Sequence, residues 1–281
     1  MLTALIWGLA FVAQRAGMDH IGPFTYNGIR FLLGAGALVP LAVWKRPLPR
    51  NRWREHGRGA LAAGGALFAA ASLQQIGLVY TSAGNAGFIT GLYVVLVPLI
   101  GLGRRQRVVA GRWVAVFLSV AGLYLLSVQE GFVINPGDLY VVGSAFFFAL
   151  HVQLIDSLAP RSSALWLSVA QYLVVGIASL AVGLVSEPMS LAGLQGATVP
   201  ILYGGLGSIS VAYTLQVLAQ RRAEPSHAAI ILSLEGTFAA LGGWLILGEL
   251  LSPRALVGCA LLLVGMLLSQ FAALRRTVPA G

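Results

Sequence analysis

The stretch LQQIGLVYTSAGNAGFITGLYVVLVPL, residues 73–99, aligns without a gap with LQVLAQRRAEPSHAAIILSLEGTFAAL, residues 215–241. Upstream, YNGIRFLLGAGA at 26–37 resembles LSVAQYLVVGIA at 167–178, and residues 10–14 resemble residues 149–153. The matches keep their order along the chain, which predicts an internal duplication. The identical pairs in the first alignment are Leu73/Leu215, Gln74/Gln216, Ala86/Ala228, Ile89/Ile231, Leu92/Leu234 and Leu99/Leu241.

The composition indicates that both copies lie in a membrane. Of the 281 residues, 58% are hydrophobic and only 10% are charged, which is far from an average soluble domain. Apolar runs long enough to cross a bilayer recur along the whole chain, and little sequence is left between them. Breaks at charges, proline and glycine predict ten helices, at 2–17, 23–44, 59–80, 84–103, 113–129, 138–157, 163–185, 198–219, 227–247 and 253–273.

Five helices in each copy make the second copy enter the membrane from the opposite side, because five is an odd number. The predicted fold is therefore an all-α polytopic membrane protein whose ten transmembrane helices form two inverted five-helix repeats, 1–132 and 133–281, in one membrane domain. Inverted repeats are typical of secondary transporters, which bind substrate near the midplane between two rocking halves. A duplicated packing scaffold is the alternative.

The formal charge of +9 raises the alternative of nucleic acid binding, but the basic residues occupy short connectors and form no stripe on a polar domain. They predict orientation instead, because cytoplasmic loops are enriched in lysine and arginine. With both termini in the cytoplasm, the outer connectors receive only Arg254. The inner connectors receive Lys45, Arg46, Arg50, Arg52, Arg54, Arg58, Arg104, Arg105, Arg107, Arg112, Arg161, Arg221, Arg222, Arg275 and Arg276.

Catalytic and metal chemistry finds little support in the sequence. The single cysteine, Cys259, lies in an apolar run and allows neither a disulfide nor a thiolate cluster. An intramembrane enzyme would need a nucleophile with a base, or a metal cluster, at membrane depth. Neither pattern is present, so we predict a protein that is not an enzyme and that has no cofactor and no metal.

The chain resembles the drug/metabolite transporter superfamily, and specifically its ten-helix EamA family. The resemblance covers nearly the whole chain and rests on ALIWGLAFVAQRAG, NGIRFLLGA, TSAGNAGFITGLYVVLVPLIG and SHAAIILSLEGTFAALGGWLILGELLS. Two departures stand out: Gly236 follows Glu235 where the family commonly has proline, and Arg104, Arg105 and Arg107 replace an acidic residue that often follows the fourth helix.

The resemblance implies a metabolite carrier in the bacterial inner membrane, with a cavity between the repeats and the fifth and tenth helices to one side. The chain is similar to exporters of aromatic and other amino acids of the YddG type. Other branches carry sugars, nucleotide-sugars or cationic drugs, and these stay open as alternatives. The expected partners are a small-molecule substrate and the lipid bilayer, without nucleic acid, in a monomer or a weak homodimer.

Charged residues inside the predicted spans are the first site candidates, because they are costly in a bilayer and face the bundle interior. Glu235 falls near the middle of its helix and is predicted to bind a substrate amine or to take up a proton. Arg30 is predicted to clamp a substrate carboxylate, from a helix face that it shares with Asn27. The structural alternatives are that Glu235 and Arg30 pair with each other, or that Arg30 extends to the membrane surface.

Aromatic and polar residues complete the predicted site. On the first helix Trp7, Phe11 and Gln14 share a face, and the alignment assigns Phe146, Leu150 and Gln153 as their counterparts. Trp7 is predicted to cover the apolar body of a ligand, and packing is the alternative. His151 is predicted to be a coupled-proton carrier, like Glu235, or an interhelical hydrogen-bond donor.

Other polar residues come in aligned pairs. Amide and phenol groups can bind the charged ends of an amino acid without adding further ions. Asn85 and His227 begin aligned helices at opposite membrane faces and are predicted to act as gate or helix-entry residues. The predicted substrate-binding set is Trp7, Asn27, Arg30, Gln74, Tyr93, His151, Tyr213, Gln216 and Glu235.

Overall fold

The computed structural model describes residues 1–45, 53–101, 135–219 and 225–274, with eight further positions between 114 and 125. All regular structure in these residues is helical. The helices are α1 (Leu2–Gly17), α2 (Pro23–Lys45), α3 (Trp53–Tyr80), α4 (Ala83–Thr90), α5 (Tyr93–Gly101), α6 (Pro136–Leu158), α7 (Ala164–Ser186), α8 (Leu191–Gly196), α9 (Thr198–Ala219), α10 (Pro225–Leu247) and α11 (Pro253–Leu274).

Six helical segments in the described part of the chain are long and apolar enough to cross a membrane, and three shorter apolar helices accompany them. The prediction of an all-α polytopic membrane protein is thereby confirmed. Nine of the ten predicted spans coincide with helical segments. The fifth, at 113–129, lies largely outside the described residues, as do most of the connector arginines and the boundary at 132, so the count of ten stays a prediction.

Helix starts follow the local sequence. Proline opens α2, α6, α10 and α11, where its missing amide hydrogen costs nothing and its fixed φ suits the first turn. Asn135 caps α6 by accepting a hydrogen bond from Gly137 N, and Ser82 caps α4 by accepting one from Asn85 N. The predicted boundaries are accordingly accurate at these ends.

Two interruptions were not predicted. The predicted span 84–103 consists of two helices, because the chain turns at 91–92 between α4 and α5. Within α9, Tyr203–Tyr213 is π-helical. Irregular backbone at membrane depth is tolerated where it is buried in protein or lines a cavity, and π-helical stretches are frequent at functional sites. Both interruptions therefore point to the interior of the bundle.

The helices pack mainly across the two predicted halves. The most extensive contacts join α2 to α7, α3 to α6, and α1 and α4 to α10. Helices α3 and α7, and α2 and α9, also pack together. Helix α11 lies against α10 and α5, and a side chain at Gly122 would meet its Gly258 and Leu262. A central group of helices thus encloses the core, and α11 flanks it.

Gly87 allows the close approach of α4 and α10. A Cβ atom added there would lie 2.5 Å from Ala239 Cβ and 3.2 Å from Gly236 Cα. We expect Gly87→Ala to destabilise the protein by about 1–3 kcal/mol, because overpacking forces the backbones apart. Thermal unfolding of the purified protein measures this, with Gly36→Ala as the control, since nothing lies within 4 Å of a Cβ at Gly36. Equal melting temperatures for the two variants would contradict this packing.

Candidate functional site

A pocket lies between helices of both predicted halves; it holds about 480 Å³ of empty space, a volume that includes its open part. Helices α1 to α6, α9 and α10 all contribute to its wall, which is predominantly apolar with several polar groups. Both helix interruptions border it, through Thr90 and Tyr93 at the turn and Ser208 and Tyr213 in the π-helical stretch. The lining residues are Trp7, Ala10, Phe11, Gln14, Arg30, Gln74, Thr90, Tyr93, Phe148, His151, Val152, Ser208, Tyr213, Gln216 and Glu235.

Arg30 and Glu235 both face this cavity, and each is only 3% exposed. They do not form a salt bridge; the ion pair in the described residues joins Arg15 to Asp19, at the surface. The alternative in which the buried arginine and glutamate neutralise each other is therefore wrong. Nor does Arg30 extend to the membrane surface. Arg30 of α2 and Glu235 of α10 thus line the same pocket without being paired to each other.

Arg30 is held in place by its surroundings. Its Nε donates to Asn27 Oδ1 at 2.9 Å, and Asn27 Nδ2 donates in turn to Ala71 O of α3 at 3.0 Å. The guanidinium also lies 5.2 Å from the ring centroids of Tyr26 and Phe31, within cation–π distance. This shell fixes the direction of the guanidinium, which bidentate binding of a carboxylate requires.

Glu235 lies where α10 crosses α1 and α5. Gly8 of α1 packs against its backbone, since a Cβ at Gly8 would lie 2.8 Å from Glu235 O. The Tyr93 phenol is close enough to interact with the carboxylate. Beyond this contact, neither Tyr93 Oη nor Glu235 Oε1 has a hydrogen-bond partner within the described residues. The acid is therefore buried with unused capacity for a cation or a donor.

An aromatic cluster surrounds Tyr213, which lines the cavity together with Trp7 and His151. Its ring centroid lies 4.5 Å from that of Trp7, 6.2 Å from Tyr172 and 6.4 Å from Phe31. His151 meets the same ring edge-on at 6.3 Å. The rings of Trp7 and Tyr213 give the cavity an apolar surface with few rotatable bonds, which suits the apolar body of a small ligand.

His151 is anchored on one side. Its Nε2 hydrogen-bonds Gln171 Oε1 of α7 at 2.8 Å, and the residue is fully buried. Its Nδ1 has no partner in the part of the chain that the structure describes. The interhelical role considered for this histidine is therefore present, and it leaves one ring nitrogen for another use.

Glutamine amides line the remaining wall. Gln74 Nε2 donates to Thr90 Oγ1 at 3.1 Å, and Gln14 Nε2 donates to Ala10 O at 3.1 Å. The Oε1 atoms of Gln14 and Gln216 stay without partners among the described residues. Buried polar atoms are normally satisfied, so several unused atoms around one cavity indicate a place for water or ligand. These atoms are Trp7 Nε1, Gln14 Oε1, Tyr93 Oη, His151 Nδ1, Gln216 Oε1 and Glu235 Oε1.

Eight of the nine predicted substrate-binding residues line this one cavity, and their role in binding stays a prediction. The exception is Asn27, which lies behind Arg30 and positions it. Of the two predicted gate residues, Asn85 is half-buried near the start of α4, and the side chain of His227 lies outside the described residues.

Phe146, the predicted counterpart of Trp7, does not line the cavity. Phe146 is 47% exposed and faces away from the cavity. Phe148, His151 and Val152 line it instead, with the same spacing as Trp7, Ala10 and Phe11. This spacing corresponds to the match between 10–14 and 149–153 shifted by two residues, and two residues on a helix rotate a side chain by about 200°.

Metal binding finds no support in the described residues, which contain no group of three or more histidine, cysteine, aspartate or glutamate side chains that could hold an ion.

Known proteins are similar to this chain in sequence and in fold. The EamA-like transporter family matches residues 1–128 and 135–271. An uncharacterized transporter of Archaeoglobus fulgidus is 32% identical over 95% of the chain and 83% of its own length. A protein of Streptantibioticus cattleyicolor named "Probable terminal-alkyne amino-acid exporter" is 27% identical, over 95% of the chain and 91% of its own length.

A protein of known crystal structure shares the fold, with a TM-score of 0.72 and 17% identity, covering 99% of the chain and 96% of that protein. The family match spans nearly all of the sequence, and it agrees with the apolar helices and the central cavity. The chain therefore belongs to the EamA-like transporter family, a family of membrane transporters.

Proposed function

We propose that the protein is a secondary transporter that exports amino acids, including aromatic ones, across the bacterial inner membrane by alternating access. The observation that carries the proposal is that Arg30 and Glu235 line one pocket together with Trp7 and Tyr213 and do not form an ion pair with each other. The guanidinium binds the substrate carboxylate and the Glu235 carboxylate binds its ammonium group. The exporter of Streptantibioticus cattleyicolor, with its amino-acid substrate, is consistent with this substrate class.

The packing supports two halves related by an inverted repeat. In the predicted repeat, α1, α2 and α3 correspond to α6, α7 and α9. The contact between α3 and α6 then has its counterpart in the contact between α9 and α1, and the contact between α3 and α7 in that between α9 and α2. All four contacts are present. Helices α2 and α7 pack on each other, as do α4 and α10, as expected for counterparts on a two-fold axis. The family matches 1–128 and 135–271 divide the chain close to the predicted boundary.

Alternating access then consists of rocking one set of helices against the other around this fixed cavity. No covalent step is needed. With both termini in the cytoplasm, export means that the cavity loads from the inside and releases to the outside. A coupled proton would be carried by Glu235 or His151, the carboxyl and imidazole groups that line the cavity.

Counterflow in proteoliposomes tests this function. Vesicles loaded with one unlabelled amino acid and diluted into the labelled compound should accumulate label transiently, and aromatic amino acids should give the largest signal. Sugars, nucleotide-sugars and cationic drugs serve as the competing substrates in the same panel. Accumulation of one of those classes without any amino acid signal would reject the proposed substrate class.

Trp7 should determine the preference for aromatic substrates. We expect Trp7→Ala to lower the apparent affinity for tryptophan by about tenfold and that for alanine much less, because a stacked ring contributes about 0.5–1.5 kcal/mol beyond its buried area. Concentration-dependent uptake of both substrates measures the difference. Phe146→Ala is the matched control, since that ring is exposed outside the cavity. Equal losses for tryptophan and alanine would contradict the aromatic role of Trp7.

A further inference from the structure

Glu187, at the end of α7, caps the start of α2, a helix of the other predicted half. It follows α7, and its two carboxylate oxygens accept hydrogen bonds from Phe24 N and Thr25 N, both at 2.8 Å. These amides open α2, where the helix dipole is positive and the backbone donors have no helical partner. One carboxylate thus ties the end of α7 to the start of α2.

Glu249 makes the same contact between α10 and α4. Its oxygens accept hydrogen bonds from Ala83 N at 2.8 Å and Gly84 N at 3.2 Å. Gly248 precedes it with a left-handed φ of 68°, which ends α10 and turns the chain back. Glu249 N then donates to Gly243 O at 3.0 Å. The two carboxylates therefore join two pairs of helices that belong to different predicted halves.

Both contacts lie on the membrane face that the arginine distribution assigns to the outside. In both, a glycine leaves the space that the carboxylate occupies. A Cβ atom at Gly22 would collide with the Glu187 carboxylate, and one at Gly243 would collide with that of Glu249. A third acid on this face, Asp138, accepts a hydrogen bond from Thr81 Oγ1 at 2.6 Å, joining α6 to the end of α3. Hydrogen bonds to carboxylates thus tie helices of both halves together at the outer end.

The residues that the repeat aligns with these two acids are basic. Continued without a gap, the alignments in Sequence analysis place Arg46 opposite Glu187, and Arg107 opposite Glu249. An arginine has no acceptor for a backbone amide, and its charge is unfavourable at a helix N-terminus. The alignment therefore pairs each of the two carboxylate caps with a basic residue of an inner connector.

We propose that Glu187 and Glu249 form a latch that holds the outer end closed in the resting state, and that both carboxylates leave the N-termini of α2 and α4 each time the outer end opens. This inference rests on the alternating access of the proposed function. The latch sets the resting conformation: the cavity is closed to the outside until the caps are broken, and substrate loads from the cytoplasm.

Cysteine labelling in intact cells tests the latch. The reporter is Gln14→Cys, because Gln14 is buried in the cavity wall near the outer end of α1; Cys259→Ala removes the native thiol. A membrane-impermeant maleimide is added outside. Loss of each cap should shift the equilibrium between the closed and the open outer end severalfold towards the open form. The reporter protein that also carries Glu187→Gln and Glu249→Gln should therefore be labelled about tenfold faster than the reporter protein without them. The same labelling rate with and without the two caps would overturn the proposal.

Two further variants keep the test decisive. Asp19→Asn makes the same acid-to-amide change on the same face but breaks only the exposed Arg15 pair, and it should leave the labelling rate unchanged. Gly22→Ala/Gly243→Ala keeps both acids and displaces their carboxylates, so it should increase the labelling rate as the glutamine variant does. It therefore also tests the latch if the glutamine variant fails to reach the membrane. Unchanged labelling in the alanine variant would reject the latch. Labelling needs no substrate. A negative labelling result would therefore reject the latch without rejecting the proposed substrate class, which the counterflow assay tests.

Discussion

Arg30→Gln is expected to reduce uptake of an amino acid by about a hundredfold at low substrate concentration. Removing one partner of a buried charge pair costs about 2–5 kcal/mol, since the other charge stays buried without a partner. Glutamine keeps a donor for Asn27 Oδ1 but lacks the charged fork that binds a carboxylate. Initial uptake rates in proteoliposomes measure the effect.

Arg15→Gln is the matched control for Arg30, because Arg15 pairs with Asp19 at the surface and should be nearly silent. Arg30→Lys keeps the charge and loses the bidentate geometry, so its rate should fall between those of the wild type and Arg30→Gln. Full activity of Arg30→Gln in correctly folded protein would show that the guanidinium does not bind substrate.

Glu235→Gln is expected to abolish the pH dependence of transport and to lower the substrate affinity by about tenfold or more. The amide cannot exchange a proton or balance an ammonium charge, while its shape fits the same space. The groups around Glu235 that also titrate or carry charge are Tyr93 of α5, Tyr213 of α9, His151 of α6 and Arg30 of α2. Uptake rates across pH 5.5–8.5 measure the dependence.

His151 is the competing proton carrier, so His151→Asn is tested beside Glu235→Gln. Glu235→Asp retains a titrating acid and should keep a pH dependence. A pH profile that survives Glu235→Gln but disappears in His151→Asn would transfer the coupling role to the histidine. An unchanged profile in both variants would remove both residues from proton coupling.

The helices could be predicted because each physical cause is local. Apolar runs bounded by charges mark the segments that the bilayer accepts, and proline marks the first turns of α2, α6, α10 and α11. The turn at 91–92 and the π-helical stretch Tyr203–Tyr213 could not be predicted in the same way. Both leave backbone groups to be satisfied by tertiary surroundings, which a hydropathy pattern does not encode.

The candidate site was predicted best where burial is expensive. Glu235, Arg30 and His151 are conspicuous in apolar runs, and all three line the cavity. Thr90, Ser208 and Phe148 were missed, because hydroxyls and single aromatic rings are ordinary in membrane helices. The position of Asn27 behind Arg30 depends on how α2 is rotated against α3. Phe146 was predicted as the counterpart of Trp7 but does not line the cavity, because a weak alignment cannot determine which face of a helix points inward.

Competition by modified substrates tests most directly whether Arg30 and Glu235 bind the two ends of one molecule. Counterflow of a labelled aromatic amino acid is inhibited with its methyl ester, which lacks the carboxylate, and with its deaminated acid, which lacks the ammonium group. Wild-type protein should prefer the intact amino acid to both. Arg30→Gln should no longer distinguish the amino acid from its ester but should still prefer it to the deaminated acid. Glu235→Gln should no longer distinguish the amino acid from the deaminated acid but should still prefer it to the ester. Equal loss of both preferences in each variant, or no loss in either, would contradict the account.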